Sequence, residues 1–237
     1  MNIAGMQPYL FPYIGYFQLI NCTDYFFIAD NVQFIQKGWI NRNRILMNGD
    51  THMITVPVTK DSAFLPINER YFADDSIMRV KILKSIKHAY CKAPNFKECY
   101  ELIEEILNFS NNNVAIYNYN SLKEICSYLG IKTTFLKESK FVIPSELDYQ
   151  DTIIYLCNEL KADRYINAIG GTEIYAAKKF KEKGIELKFL RTRESLKYKQ
   201  FNNDFIPNLS IIDVMMFNTQ AEIRQLLTEF DLIAGKN

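Results

Sequence analysis

The chain carries little that would place it in a membrane or on a nucleic acid. No apolar run approaches the roughly 18 residues of a membrane-spanning helix. The first residues, MNIAGMQPY, lack the basic region and apolar stretch of a secretory signal. The 28 basic residues are offset by 27 acidic ones, whereas nonspecific nucleic-acid binding needs a basic excess. These absences predict a cytoplasmic protein that has no membrane span and binds no nucleic acid.

Motifs for metals, disulfides and the common phosphate loops are missing as well. The chain has two histidines and five cysteines, and no C-x-x-C pair occurs, so the sequence predicts no metal site. An odd number of scattered cysteines is typical of reduced thiols rather than of a disulfide framework. The cysteines are Cys22, Cys91, Cys99, Cys126 and Cys157. Neither G-x-x-x-x-G-K-[ST] nor G-x-G-x-x-G is present, so a phosphate would have to be bound in another way.

Apolar runs alternate with segments of helical period, and this pattern predicts an α/β fold. The runs are short and continuous, which is typical of strands buried in a parallel sheet. The predicted strands span residues 2–6, 25–29, 53–58, 133–136, 163–168 and 185–190. A helix over 13–21 joins the first two strands in a βαβ unit. With 48% hydrophobic residues, we expect residues 1–237 to form a single α/β domain.

The middle of the chain, residues 77–130, is predicted to be a mainly helical insertion or lobe. Apolar residues recur there at helical spacing, and Gly130 is suited to end the last helix. Further along, Asp151 is expected to cap a helix that runs to 160, and Thr172 a helix that runs to about 183. Ser210 can cap a third helix, with Asp213 in the capping-box position. We favour that capping role for Asp213 over a contact with a ligand.

Polar residues follow the second predicted strand, at the sheet edge where α/β proteins bind ligands. Asp30 directly follows the strand and could be a catalytic base or a helix cap. Lys37, Arg42 and Arg44 offer charge to a phosphate or carboxylate, and neighbouring asparagines offer amides. The alternative is that this segment is a solvated polar helix face. We expect Asp30, Lys37, Asn41 and Arg42 to line one concave pocket beside the 7–15 turn, with Tyr198 and Gln200 approaching from the C-terminal part.

Three further groups are candidates for chemistry or binding. The Gly170-Gly171 turn before a predicted helix could receive an anion, although it is also ordinary turn chemistry. His88 is a candidate general base or a histidine on a helix rim. Cys91 lies one helical turn after His88, so a Cys–His nucleophile pair is a further alternative.

Several of these segments together resemble the WbqC-like family of bacterial proteins. The resemblance rests on MQPYLFPYIGYFQLI, DNVQF, KGWINRNRI, TVPV, GGTEIY and YKQ followed by FIPNLSIIDVMMFN. It implies a cytoplasmic amino-acid (glycine) or acyl transferase associated with O-antigen, capsule or other surface-polysaccharide synthesis. The positions that match the family pattern are Gln7, Pro8, Tyr9, Pro12, Gly15, Asp30, Gln33, Lys37, Trp39, Asn41, Arg42, Asn43, Pro57, Tyr90, Gly170, Gly171, Tyr198, Gln200, Ser210 and Asp213.

The first βαβ unit is also similar to that of the HIGH-motif nucleotidyltransferases. The similarity implies a mainly parallel, Rossmann-like (HUP- or nucleotidyltransferase-like) sheet flanked by helices. Tyrosines stand here where that superfamily carries the histidines that contact nucleotide phosphates. The chain can therefore share the fold of the HIGH-motif nucleotidyltransferases and catalyse a different reaction.

These observations lead to one main hypothesis and two alternatives. The first is an acyl- or aminoacyl-transferase that acts on a nucleotide-linked amino sugar and has no bound cofactor. A carrier-protein thioester, coenzyme A and an activated amino acid remain open as the donor. The alternatives are a nucleotidyl- or adenylyl-transferase and a non-catalytic nucleotide-sugar-binding protein. The residues assigned to catalysis are Asp30 and His88. Those assigned to substrate binding are Gln7, Tyr9, Tyr13, Gln33, Lys37, Asn41, Arg42, Asn43, Gly170, Gly171, Tyr198 and Gln200.

Overall fold

A six-stranded sheet and a separate two-stranded hairpin organise the chain. The computed structural model describes residues 1–73, 76–202 and 204–235. The strands are β1 (Asn2–Met6), β2 (Tyr25–Ile28), β3 (Arg42–Met47), β4 (Asp50–Thr55), β5 (Thr134–Lys137), β6 (Arg164–Ala168), β7 (Glu186–Thr192) and β8 (Phe230–Ala234). The helices are α1 (Ile14–Asn21), α2 (Ser76–Tyr90), α3 (Phe96–Leu107), α4 (Val114–Leu129), α5 (Tyr149–Glu159), α6 (Ala177–Glu182), α7 (Ile211–Phe217) and α8 (Gln220–Leu226).

The large sheet is mainly parallel, which confirms the predicted α/β class. Its strand order is β5-β2-β1-β6-β7-β8. All neighbouring strands run parallel except β8, which pairs with β7 in the antiparallel sense. The chain adds β2 and β5 on one side of β1, and then β6, β7 and β8 on the other. The order therefore reverses between β1 and β6, where doubly wound folds leave a crevice at the carboxyl ends of the strands.

Alternating side chains of the strands fill two cores, one on each face of the sheet. Ile3 and Phe27 lie in a core with the apolar side of α5 and with Phe180 of α6. Ala4 and Phe26, one residue away on each strand, lie in the larger core with α1, α4, α7 and α8. Successive strand residues point to opposite faces, so a continuous apolar run is what a sheet covered on both faces requires.

The predicted third strand, 53–58, does not join the large sheet. Residues 50–55 form β4, which pairs antiparallel with β3 (Arg42–Met47) in the hairpin. The turn between them is Asn48-Gly49, and both residues have positive φ, 53° and 81°. An Asn-Gly pair favours this two-residue hairpin turn. Residues Arg42–Met47 are therefore a strand, and the alternative of a polar helix face is wrong for them.

The predicted helical stretch is confirmed, but two helix starts differ from the prediction. Three helices, α2 to α4, occupy most of 77–130, and Gly130 ends α4 with φ 74°. Asp148, rather than Asp151, caps α5 by accepting from the Asp151 N–H. Helix α6 begins at Ala177, five residues after Thr172. Ser210 caps α7 as predicted. Within the described part of the chain, no helix has the length and apolarity to cross a membrane.

Candidate functional site

A pocket of about 450 Å³ lies at the point where the strand order reverses. It is bounded by the loop after β1, by the start of β3, by the turn after β6 and by the end of β7. Its lining residues are Tyr9, Pro12, Tyr13, Trp39, Asn43, Arg44, Ile169, Gly170, Leu190, Arg191, Thr192 and Asn208. We name it the switch-point pocket. Its position is the one at which open α/β sheets bind their ligands.

Buried amide and hydroxyl groups hold the proline-rich loop that forms one wall of this pocket. The Asn43 amide nitrogen donates to the carbonyl oxygens of Leu10 (3.0 Å) and Phe11 (2.8 Å). The Ser210 hydroxyl donates to the same Phe11 oxygen at 2.8 Å. Phe11 has a positive φ of 44°, which an ordinary residue adopts only when its surroundings impose it. Asn43 and Ser210 therefore shape the pocket wall through the backbone.

Gly15 allows the pocket tyrosine Tyr13 to lie against the first turn of α1. A β-carbon at position 15 would overlap the Tyr13 ring and would lie 2.8 Å from the Thr192 hydroxyl oxygen. Tyr13 and Thr192 both line the pocket. The absence of a side chain at position 15 thus brings the loop after β1 close to the end of β7.

Two arginines give the switch-point pocket a positive wall. The guanidinium carbon of Arg44 lies 5.3 Å from the centre of the Trp39 ring, a cation–π contact. Arg44 donates to the Asn208 carbonyl oxygen at 3.2 Å, while its buried Nε has no hydrogen-bond partner. No carboxylate among the described residues forms an ion pair with Arg44. The guanidinium of Arg191 forms a long ion pair, 3.9 Å, with the carboxylate of Asp231. The pocket is therefore suited to an anionic group.

Four of the predicted binding residues line this pocket: Tyr9, Tyr13, Asn43 and Gly170. Gly170 has open space around its α-carbon, whereas a β-carbon on Gly171 would lie 2.8 Å from the Asn167 side-chain oxygen. These two glycines form a 3₁₀ turn after β6. They do not open a helix, so the expected anion site at a helix N-terminus is absent there.

The remaining residues of the expected polar cluster do not meet in the pocket. The Asn41 amide donates to the Val56 carbonyl oxygen at 2.9 Å, which joins the two ends of the β3–β4 hairpin. Arg42 donates to the carbonyl oxygens of Gly38 (3.0 Å) and Lys37. These polar groups satisfy backbone atoms of their own segment, because a tight turn leaves carbonyls that the sheet does not pair. The prediction of one convergent pocket is wrong in this respect.

Two other predicted binding residues lie outside the pocket lining. The Gln33 amide donates to the Ala63 carbonyl oxygen at 3.0 Å and joins two surface loops. The Gln7 carbonyl oxygen accepts from the Tyr16 hydroxyl at 2.9 Å, which fixes the exit from β1.

Asp30 lies at the expected sheet edge, but both of its carboxylate oxygens accept hydrogen bonds from within the chain. Its carboxylate accepts from the Ser139 N–H (3.0 Å) and the Ser139 hydroxyl (2.8 Å), and the residue is 3% exposed. These bonds tie the end of β2 to the segment after β5. The role of Asp30 as a base stays a prediction.

Glu138, which was not among the residues predicted to be catalytic or to bind substrate, lies beside Asp30. It directly follows β5 and is 6% exposed. Its carbonyl oxygen accepts from the Phe141 N–H at 3.0 Å, whereas its carboxyl group makes no hydrogen bond with any residue that the structure describes. Burial raises the pKa of the Glu138 carboxyl to about 7, and the nearby charge of Asp30 adds to the rise. A carboxylate that follows an apolar strand was the signal used to select Asp30, and the same signal occurs at Glu138.

Tyr149, the first residue of α5, interacts electrostatically with Glu138 and with the pocket residue Tyr9. Loss of hydration raises the pKa of its phenol, and the charge of Glu138 adds to the rise. Tyr149 is 43% exposed as a residue, so water screens part of this effect. Burial also raises the pKa of the pocket residue Tyr9, with a further contribution from Tyr149. Tyr149 is thus close enough to interact electrostatically with both Glu138 and Tyr9.

His88 does not line the switch-point pocket. It lies with Cys91 in a separate recess of about 420 Å³ beside the Asn48-Gly49 turn. Cys91 is exposed, and all five cysteines are free, as predicted. The catalytic role of His88 and its pairing with Cys91 stay predictions.

Tyr198 and Gln200, predicted to bind substrate, instead contact a buried carboxylate. Asp213 is fully buried and accepts from the hydroxyls of Tyr198 (2.6 Å) and Tyr90 (2.8 Å) and from the Gln200 amide (2.7 Å). Burial raises the pKa of Asp213, and these hydrogen bonds oppose the rise. The Tyr90 hydroxyl also accepts from the Leu46 N–H at 2.8 Å. The expected capping-box role of Asp213 is therefore wrong, because its side chain joins α7 to α2 and β3.

Comparisons with known proteins point to one family. A family model described as the WbqC-like protein family matches residues 7–225. A protein of Mycobacterium tuberculosis (strain ATCC 25618 / H37Rv), described as uncharacterized protein Rv1507c, is 28% identical over 222 residues. The match covers 93% of this chain and 95% of that protein. No solved structure matches the chain.

Proposed function

This chain belongs to the WbqC-like protein family, and we propose that it is an acyl- or aminoacyl-transferase that acts on a nucleotide-linked amino sugar. The reaction would serve the synthesis of O-antigen or another surface polysaccharide. The observation that carries the proposal is the Arg44 guanidinium, which lies in the switch-point pocket over Trp39 without a carboxylate partner.

A ligand phosphate would supply the negative charge that Arg44 lacks. A planar guanidinium can bind two phosphate oxygens at once, and it does so best where water is partly excluded. Arg191 lines the same pocket and offers a second positive charge. In this proposal Arg44 keeps the phosphate-binding role expected from the sequence, and Arg191 would take the place of Lys37 and Arg42.

Aromatic residues beside the arginines suit the sugar or base of such a ligand. Trp39 is 39% exposed and lines the pocket together with Tyr9 and Tyr13. Flat apolar rings next to a few polar groups are typical of sites for small ligands, and aromatic faces stack on sugars and bases. A ligand that carries both a phosphate and a sugar or base ring therefore matches the arginines and the aromatic residues of the pocket.

Transfer to an amine needs a base and an activated donor. The donor class we propose is a thioester, carried either by a carrier protein or by coenzyme A, with no resident cofactor. We place the reaction in the cytoplasm, where the five free thiols would stay reduced. Asp30 and His88 remain the base candidates from the sequence.

Ligand-induced stabilisation tests the proposal. We expect UDP-glucosamine to raise the unfolding temperature of the protein more than ATP–Mg or acetyl-CoA does, because a ligand at 100 times its Kd stabilises by about 2.7 kcal/mol. Arg44→Lys should weaken binding about tenfold or more, since lysine keeps the charge but loses the planar fork. The matched control is Arg164→Lys, whose arginine pairs with Glu186 at the amino end of β6 and should bind as the wild type does.

The same measurements separate the alternatives. The doubly wound sheet with a pocket at its switch point also suits a nucleotidyl- or adenylyl-transferase. Stabilisation by ATP–Mg alone would favour that reaction and contradict ours. Binding of the nucleotide sugar without turnover of any thioester donor would instead favour a non-catalytic binding protein.

A further inference from the structure

We propose that Glu138 is the catalytic base that removes the proton from the acceptor amine, and that Asp30 is a positioning residue that holds the segment after β5. This inference rests on the proposed function only in assuming that the acceptor is an amine. It assigns the base to a residue that the sequence analysis did not select.

The bonding of the two carboxyl groups distinguishes their roles. Both oxygens of Asp30 accept hydrogen bonds from Ser139, the residue next to Glu138. Glu138 is 6% exposed as a residue, and its carboxyl group makes no side-chain hydrogen bond with any residue that the structure describes. Its oxygens are not among the fully enclosed polar atoms that lack a partner. Because these oxygens are not sealed from solvent and have no side-chain partner in the described chain, a ligand amine can take that place.

The sheet brings Glu138 to the edge that the switch-point pocket occupies. Strands β2 and β5 are parallel, and Ile28 is paired with Lys137, so the residues that follow both strands lie at the same edge. Two strands, β2 and β1, separate β5 from β6. At a strand spacing of about 4.8 Å, the ends of β5 and β6 are roughly 14 Å apart. An extended ligand with phosphates at Arg44 and an amino sugar towards Glu138 would span that edge.

One tyrosine, Tyr149, interacts with groups at both ends of the ligand position that we propose. Tyr149 is close enough to Glu138 and to Tyr9 to interact electrostatically with both, and Tyr9 lines the switch-point pocket. The titratable groups that interact with Glu138 are the Asp30 carboxylate, two residues after β2, and the Tyr149 phenol at the start of α5. No lysine or arginine of the described ranges forms an ion pair with Glu138, so its carboxylate is free to bind an amine.

The proposed step conserves atoms and charge. The nitrogen lone pair of the neutral amine forms a C–N bond with the carbonyl carbon of the thioester donor. Glu138 takes one proton from that nitrogen, the C–S bond breaks, and its electron pair leaves with sulfur. The Glu138 carboxylic acid then gives the proton to the thiolate. An amine and a thioester become an amide and a thiol, and Glu138 returns to its carboxylate form. With a pKa of about 7, Glu138 can both take and return a proton near neutral pH.

Paired ligands test the inference without requiring the donor. UDP-glucosamine and UDP-glucose differ by an amine in place of a hydroxyl, and calorimetric titration gives the Kd of each. For the wild type at about pH 7.5, we expect the amine ligand to bind about tenfold more tightly. At about pH 5.5, where Glu138 is protonated, the preference should disappear. Glu138→Gln should bind UDP-glucose as the wild type does and show no amine preference at either pH.

The Asp30 variant and an exposed glutamate decide between the two carboxyl groups. Asp30→Asn should keep the preference, and the preference should extend to lower pH because one neighbouring negative charge is lost. Glu146→Gln, at an exposed position in the turn before α5, should behave as the wild type. An unchanged preference in Glu138→Gln overturns the inference, and its loss in Asp30→Asn alone makes Asp30 the base. Failure of the wild type to bind either ligand would instead count against the proposed function.

Discussion

Glu138→Gln should make the protein more resistant to alkaline pH. The folded-state pKa of Glu138 is about 7, against an ordinary value of 4.5, chiefly because of burial. The folded protein therefore binds this proton more tightly than the unfolded chain does. The stability that depends on this proton is fully present below about pH 4.5 and is lost as the pH rises through about 7.

The size of the effect follows from the two pKa values. Their separation, about 2.5 pH units at about 1.36 kcal/mol each, corresponds to about 3 kcal/mol of unfolding free energy. Glutamine has nearly the same shape and no charge at any pH, so it should remove this loss. We expect the difference in unfolding free energy between variant and wild type to rise by about 2–3 kcal/mol from about pH 5 to about pH 8.5.

Urea unfolding across that pH range measures the effect directly. The matched control is Glu146→Gln, which removes the same charge from an exposed position. Its difference from the wild type should change little with pH, because a solvated carboxylate has no burial to oppose its charge. If Glu138→Gln and Glu146→Gln gave parallel pH profiles, Glu138 would not be withdrawn from water, and its assignment as a base near neutral pH would lose its physical support.

Three further predictions concern a buried hydrogen bond, a close contact in the pocket wall and an exposed cysteine. Tyr198→Phe should cost about 1–3 kcal/mol in urea unfolding, because buried Asp213 loses one of its three side-chain donors; a change below about 0.5 kcal/mol would contradict that account. Gly15→Ala should lower both stability and UDP-glucosamine affinity, since the added carbon meets the Thr192 hydroxyl at 2.8 Å; unchanged binding would show that the wall can adjust. Cys91, which is exposed, should be the cysteine that reacts first with a thiol reagent in the folded protein, and Cys91→Ser should remove that fast phase.

The candidate pocket contains some of the residues selected from the sequence and excludes others. Tyr9, Tyr13, Asn43 and Gly170 line the pocket at the predicted edge of the sheet. Arg42, by contrast, turns back to carbonyl oxygens of its own segment. The difference arises because the local sequence shows which groups are polar but does not show which backbone atoms will need them.

Residues that act on distant segments were the hardest to interpret. Asp213 had a plausible local role as a helix cap, yet its partners Tyr90 and Tyr198 come from other parts of the chain. The Asn48-Gly49 turn was a missed local signal, since Asn-Gly between two strand-like runs predicts a hairpin. Recognition of that turn would have placed Arg44 on a strand rather than on a polar helix face.

The amino-acid sequence by itself determined five of the six strands described in the large sheet, all but β8 (Phe230–Ala234), and the helices of the middle region. Continuous apolar runs such as 2–6 and 25–28 make strands that are buried on both faces, and helical spacing of apolar residues makes α2 to α4. The sequence alone shows these patterns, because the spacing of nearby residues decides which side chains share one face of a helix or strand.

Only the tertiary structure decided which polar residues share the candidate site. Glu138 lies far along the chain from Asp30, and the two meet because β5 pairs with β2 in parallel. Arg44 reaches the pocket because the hairpin packs against the loop after β1. Pairing of distant strands and loops depends on the packing of the whole core, and the charge and desolvation of each side chain follow from that packing.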